Sequence, residues 1–219
     1  MTDTAAPPLR AARSRSRRVL VALCTVFLLV LLMCIPTFCV GGPRYYGAKY
    51  SPARGPRATG TAAALVPEVQ TEPHTCGLHA LSSIYRGYGL DPQQFDLRFR
   101  LGTDKPLTNF AADSTGTLPP DIERVVSQDG FVFSKHDPAA PDTAEHLLSH
   151  LGRGHAALVL THKGSLTSGL HWIALSASPN GSSTVVVCDS LRPEPFEEEV
   201  AALLPTRTRT VYLLSPGDR

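Results

Sequence analysis

Cys76 opens the stretch CGLHALSSIYRGYG, in which Leu78, Leu81, Ile84, Tyr85 and Tyr88 recur at helical spacing and Gly89 supplies a stop. A cysteine at a helix N-terminus is chemically loaded, because the helix dipole and the free N–H groups of the first turn favour thiolate over the ordinary thiol of pKa ~8.5. Such a nucleophile needs a base, and His171 heads the strand-like run His171-Trp172-Ile173-Ala174-Leu175. The next apolar segment, 184–189, ends at Asp189, and Pro179-Asn180-Gly181-Ser182 between the two is a hairpin signal, Asn-Gly supplying two positive-φ positions. Folding the hairpin back brings His171 and Asp189 side by side, so that the carboxylate holds one imidazole nitrogen while the other faces Cys76. Gln70, six positions before Cys76, carries an amide that can donate to a developing oxyanion together with the Cys76 backbone N–H. This is the chemistry of thiol-dependent acyl transfer, and it calls for no cofactor and no metal.

The elements that must position these groups come in two blocks. The first is helical: Cys76 to Gly89, then Asp91-Pro92 opening a helix to about Leu101, and a third helix over Pro119 to Gln128. A short strand at Phe131-Val132-Phe133 follows. Asp142-Thr143-Ala144-Glu145 matches a capping-box variant ahead of His146 to Leu151. The second block is β-rich, at His155–Thr161, Leu170–Ser178 and Thr184–Asp189, with a short helix expected over Phe196–Leu204 and a last strand over Thr210–Leu214. Helices first and an antiparallel sheet second make an α+β fold.

The spacing Gln70-(five residues)-Cys76-Gly77, then His171-Trp172-Ile173-Ala174-Leu175, then Asp189, resembles the C39 and C39-like cysteine peptidases of the papain-like superfamily. Leu97-Arg98, the Ser114-Thr115-Gly116-Thr117 loop, the helix from Pro119 and Gly130-Phe131 keep that family's order, so the resemblance covers roughly residues 66–190. It implies a papain-like fold in which Cys76 is the nucleophile, His171 the general base, Asp189 its orienter and Gln70 the oxyanion donor. It also implies a peptide or protein substrate. Two departures are notable. The best-known members are fused to a peptide-exporting ABC transporter and cut after a double-glycine leader, whereas this sequence contains no P-loop. Ser190 follows Asp189 where the family commonly has proline, a change expected to alter a turn. Two other functions share such a scaffold: a silent module that only binds peptides, and a transferase that passes the acyl group to an amine.

The rest of the 219 residues places this domain. Residues 1–60 hold nine Lys/Arg against one acid and residues 61–219 hold twelve against eighteen, that is +8 followed by −6. The acidic body argues against a nucleic-acid partner. Val19 to Val40 is an uncharged run of 22 residues, about 33 Å as a helix, which is the length of a membrane span. Arg10, Arg13, Arg15, Arg17 and Arg18 precede it, so residues 1–18 are expected to be a cytoplasmic tail, with the catalytic domain on the outer side. Residues 41–66, rich in Gly, Pro, Ala and Arg, read as a tether, and the domain as 67–219.

Other reactive residues have plainer roles. Cys24, Cys34 and Cys39 lie in the apolar run, and Cys188 alternates away from Asp189 into the core, which disfavours a Cys76–Cys188 disulfide. His146, His150 and His155 have zinc-like spacing but no glutamate after His146, so a solvated pair is expected. Asn180-Gly181-Ser182 is an acceptor sequence for N-glycosylation that the hairpin already explains.

Overall fold

The computed structural model describes residues 9–36, 47, 49–51, 55–104, 116–162, 169–181, 183–204 and 206–217, with side chains over 19–32 in the first of these. The chain divides into two compact units, Met1–Ala48 and Lys49–Arg219. The first includes the helix α1 (Leu9–Pro36), whose Thr25 hydroxyl donates to the Val21 carbonyl at 2.8 Å. That internal bond leaves the described face of α1 without an unsatisfied polar group at Thr25. Among the described residues no helix is long and apolar enough to cross a membrane. The side chains described, 19–32, span about 21 Å as helix against a hydrocarbon core of about 30 Å. Residues 37–40 of the expected span lie outside the described residues.

In the second unit the elements run α2 (Cys76–Gly87), a 3₁₀ turn (Pro92–Phe95), α3 (Leu97–Arg100), α4 (Pro119–Gln128), β1 (Phe131–His136), α5 (Thr143–Gly152), β2 (Ala156–His162), β3 (Leu170–Ala177), β4 (Thr184–Cys188), β5 (Phe196–Glu199), α6 (Val200–Leu203) and β6 (Thr208–Pro216). The strands form one antiparallel sheet in the order β1-β6-β2-β3-β4-β5. The period of two sends alternate β3 residues to opposite faces. Trp172 and Ala174 pack with Cys188 and the α2 residues Leu81, Ile84 and Tyr85, while Ile173 and Leu175 pack with Leu147, Leu151 and Leu203 of α5 and α6. Covered on both sides, β2 has no wet face, which is why AALVLTH reads as an unbroken apolar run.

The helix bearing Cys76 is anchored from its far end. Tyr85 donates to Asp129 Oδ2 at 2.5 Å, and Arg100 forks onto the same carboxylate at 2.9 and 2.8 Å, all within the core. A buried carboxylate is tolerated there because guanidinium and phenol satisfy it together, and the group joins α2, α3 and the end of α4.

Several expectations change in the three-dimensional fold. The helix from Asp91 is broken at Asp96, whose φ of 46° ends the 3₁₀ turn and restarts the chain as α3. Phe196–Leu204 is half strand: Glu197 and Glu199 point outward from β5 while pairing with β4 holds the backbone extended, so tertiary pairing overrides the helical period. Asp142 precedes α5 without a side-chain cap bond, and Thr143 instead donates to Asp137 O at 2.6 Å. The β3–β4 connection runs from Ser178 to Ser183 rather than through a two-residue turn, with Asn180 and Ser178 both bonded to Glu197 of β5. The compact unit also begins upstream of Pro67. Ala62 N–H donates to Gly154 O at 2.7 Å, Ala63 N–H to Gly87 O at 2.6 Å, and Ala58 and Leu65 are buried, so residues 55–66 are part of the domain rather than a tether. Residues 41–46 and 48 lie outside the described residues.

Candidate active site

Cys76 is the first residue of α2, and Thr75 before it does not cap the helix with its side chain; its hydroxyl donates to Glu72 O at 2.8 Å instead. The N–H groups of the first turn are thereby left for the sulfur. His171 stands at the start of β3, and Asp189 directly follows β4, where Ala174 pairs with Cys188 and the two strands leave the ladder at the same end. His171 Nε2 and Asp189 Oδ1 are 2.6 Å apart, and the same oxygen accepts the Leu191 N–H at 2.9 Å. With Nε2 engaged, Nδ1 is the imidazole nitrogen left for Cys76, whose thiol His171 lowers.

Two cysteines test what this arrangement does, since Cys76 and Cys188 are both free and both buried. Burial alone pushes the Cys188 thiol up to about 12. Burial also pushes Cys76 up, yet the His171 hydrogen bond and charge and the backbone hydrogen bonds from Trp172 and Gly77 outweigh it, and Cys76 lies below its ordinary value. Burial opposes the charged form of His171 too, but Asp189 and Cys76 raise it to about 9. Asp189, disfavoured as an anion by burial, is lowered by His171 and the Leu191 N–H. All three shifts run in the direction that favours a thiolate beside an imidazolium and a carboxylate.

Gln70 is held from the other side of the same loop. Its backbone N–H donates to Ser190 O at 2.9 Å, Ser190 Oγ donates to Gln70 Oε1 at 2.6 Å, and Gln70 Nε2 donates to Glu72 O at 3.0 Å. Ser190 therefore does more than alter a turn. The sequence marks it only as a departure from proline and gives no hint of its partner, which lies 120 positions away.

Thr117, which the sequence places only within a loop, has a definite partner at the site. The Trp172 indole N–H donates to Thr117 O at 2.9 Å, which lays the 116–118 segment across the start of α2. Room for it exists because residue 77 is glycine: an added Cβ would stand 2.6 Å from Thr117 Cβ and 2.9 Å from Trp172 Cδ1. Gly116, at φ +70°, passes the backbone close to His74 O. Gly77→Ala is expected to destabilise the domain by about 1–3 kcal/mol through overpacking, measured as a lower urea midpoint at unchanged m-value.

The remaining histidines do not join the row. His74 Nε2 faces Asp104 at 3.1 Å, and His79 Nδ1 lies 3.6 Å from Glu68. Glu72, His74 and Asp104 cluster as metal ligands do, but Arg98 already bridges Glu72 and Asp104 at 2.6 and 2.7 Å, so a cation of the protein's own neutralises the carboxylates. The zinc-like histidines are not the expected solvated pair, because His150 is buried with its ring 5.0 Å from that of His155. His150 Nε2 is bound to the carbonyls of Ala156 and Leu214, and His146 lies beside Asp142 at 3.8 Å.

No protein-family model matches the chain, and no curated protein does. Solved structures do. The peptidase domain of Streptococcus ComA, a bifunctional ABC transporter involved in a quorum-sensing pathway, aligns at TM-score 0.50 with 18% identity over 70% of this chain and 99% of its own. A double-glycine-motif protease from an AMS/PCAT transporter, solved with its leader peptide, aligns at TM-score 0.46 with 13% identity over 74% of this chain and 98% of its own. The peptidase C39-like domain of a toxin-secretion ATP-binding protein from Vibrio parahaemolyticus aligns at TM-score 0.40 with 20% identity, covering 65% and 97%. An antiparallel sheet bearing histidine and acid, with a cysteine-headed helix packed on it, thus has the α+β fold of the ComA peptidase domain.

Proposed function

We propose that the chain is a membrane-anchored cysteine peptidase. The observation that carries the reading is the unequal fate of two buried thiols: Cys76 is lowered by an imidazole that a carboxylate holds, while Cys188 is raised. In the proposed cycle the Cys76 thiolate attacks a peptide carbonyl and the oxyanion takes hydrogen bonds from the Cys76 N–H and the Gln70 amide. The His171 imidazolium passes its proton to the leaving amine, the C–N bond breaks, and a thioester remains on Cys76. Neutral His171 then takes a proton from water, whose oxygen attacks the thioester and frees the carboxylate product and the thiolate. The substrate class is a peptide, in line with a fold neighbour solved with a leader peptide.

Anchoring rests on the sequence of residues 19–40 and on the character of α1. Its described side chains from Val19 to Leu32 are apolar on every side and exposed, a surface that water does not favour and lipid does. The arginine-rich residues 9–18 belong to the same helix and favour a cytoplasmic N-terminus.

One experiment addresses both parts. The full chain and a chain lacking residues 1–48, each with and without Cys76→Ala, are mixed with phosphatidylglycerol-containing vesicles and a peptide library. The full chain is expected to float with vesicles and the short one to stay behind. Both are expected to cleave peptides, and both alanine variants to fall to background. Cleavage that survives Cys76→Ala rejects the nucleophile, and a full chain that never floats rejects the anchor.

A further inference from the structure

Ser190 joins two parts of the site that the chain itself keeps far apart, and it does so from a buried position, 2% exposed. Its hydroxyl donates to Gln70 Oε1 at 2.6 Å, and its carbonyl accepts the Gln70 backbone N–H at 2.9 Å. The direction of the side-chain bond is fixed by chemistry. Glu72 O, on the other side of the Gln70 carboxamide, can only accept, so it must face Nε2; the oxygen then faces Ser190, and the hydroxyl has to donate. A carboxamide has two N–H donors. One is taken by Glu72 O, and the plane of the amide, set by these two partners, decides where the other aims.

Asp189, the residue before Ser190, fixes the imidazole through Oδ1. One dipeptide therefore orients the base with its first side chain and the Gln70 amide with its second. We infer that Ser190 is a positioning residue for the oxyanion donor, holding the Gln70 amide in register with the His171–Asp189 pair. The inference deepens the proposed peptidase reading and rests on it. Proline at this position has no hydroxyl to give, so the tie is a property of this chain's own sequence.

The test uses the full chain in detergent and two probes that do not require turnover. Iodoacetamide alkylates the Cys76 thiolate without forming an oxyanion, and reports the Cys–His–Asp row alone. N-acetylglycinal adds reversibly: the Cys76 sulfur bonds to the aldehyde carbon, and the carbonyl electron pair becomes an oxyanion in the hole, which takes up the proton held by His171. Its affinity is read as protection of Cys76 from iodoacetamide. Ser190→Ala is expected to weaken aldehyde binding about tenfold, a fraction of the 10²–10³ that loss of an entire oxyanion donor costs, with the alkylation rate within about twofold of wild type. Ser190→Thr, which keeps the hydroxyl, is expected to restore affinity. In a Gln70→Ala background Ser190→Ala is expected to add nothing, as two residues acting through one group require.

The inference is overturned if Ser190→Ala leaves aldehyde affinity unchanged, if it slows alkylation as much as it weakens the aldehyde, or if its effect adds to that of Gln70→Ala. Failure of the peptidase reading looks different: wild-type Cys76 then alkylates slowly below pH 7 whatever stands at position 190.

Discussion

His171→Ala is expected to slow alkylation of Cys76 at pH 6.5 by at least about tenfold, while a rapid reaction persists in the wild type. Without the imidazolium, burial, the largest influence and one that raises Cys76, is opposed only by the backbone hydrogen bonds from Trp172 and Gly77. A thiol of ordinary pKa ~8.5 is only about 1% thiolate at pH 6.5, and burial reduces that further. The gain in thiolate is partly offset, because nucleophilicity falls with pKa at a Brønsted slope of ~0.4–0.5, so the rate changes less than the population. Site-resolved mass spectrometry supplies an internal control. Cys188 lies in the core with its thiol pushed up to about 12, so it labels only where the domain unfolds. Fast Cys76 labelling with Cys188 silent, lost in His171→Ala with Cys188 still silent, establishes the ion pair. Equal rates in wild type and variant would sink it.

The parts of this site that could be read in the sequence are those written in local patterns. Cys76 was found because an apolar period of 3.6 begins at it, and α2 starts there. His171 and Asp189 were found because two β-rich runs with a turn signal between them must pair, and their 2.6 Å contact follows from that pairing even though the turn is longer than Asn-Gly alone would make it. Ser190 and Thr117 carry no such pattern. Each acts through a single partner residue 120 or 55 positions away, and a hydroxyl or carbonyl at that separation leaves no period to detect. Residues 55–66 failed for a related reason. They join the domain through backbone groups and a few small side chains, and Gly, Pro and Ala look the same whether their amides meet water or Gly154 O. In β5 the residues Glu197, Glu198 and Glu199 favour a helix when read alone, and only the partner strand makes them extended.

The buried Arg100–Asp129–Tyr85 group gives this chemistry a firm base. Thiolate and imidazolium must be held at hydrogen-bond distance while substrate comes and goes, so rigidity has to come from behind. Tyr85, on the Cys76 helix, is tied to Asp129 at one end, and Trp172, beside His171, is tied to Thr117 at the other. Helix and strand thus meet at Cys76 and His171 with their neighbours already fixed.

Asp189→Asn is expected to move the His171 titration, followed by carbon-13 NMR of the imidazoles, down from about 9 by about 1 to 2 pH units while keeping the ring in place. The reasoning turns on which atom the side chain presents. Asp189 Oδ1 accepts the Leu191 N–H as well as the His171 Nε2 proton, so an asparagine there is held with its oxygen toward both donors and its amide nitrogen turned away. The hydrogen bond survives and the negative charge does not. His171 then loses its proton at lower pH, which brings down the alkaline limit of any step in which the imidazolium gives its proton to a leaving amine. Cys76, facing a less persistent imidazolium, becomes thiolate at higher pH, which raises the acid limit. The working window narrows from both sides. Because the asparagine oxygen still faces Nε2, neutral His171 keeps its proton there and Nδ1 stays free to take one from water, so turnover near pH 7 is expected to fall only about tenfold, far less than the ~10⁴ seen where the wrong tautomer is imposed. Asp189→Ala removes the acceptor as well and is expected to cost on the order of 100-fold or more. An asparagine variant whose His171 still titrates near 9, or one as impaired as the alanine variant, would show that Asp189 acts by some means other than its charge on a fixed ring.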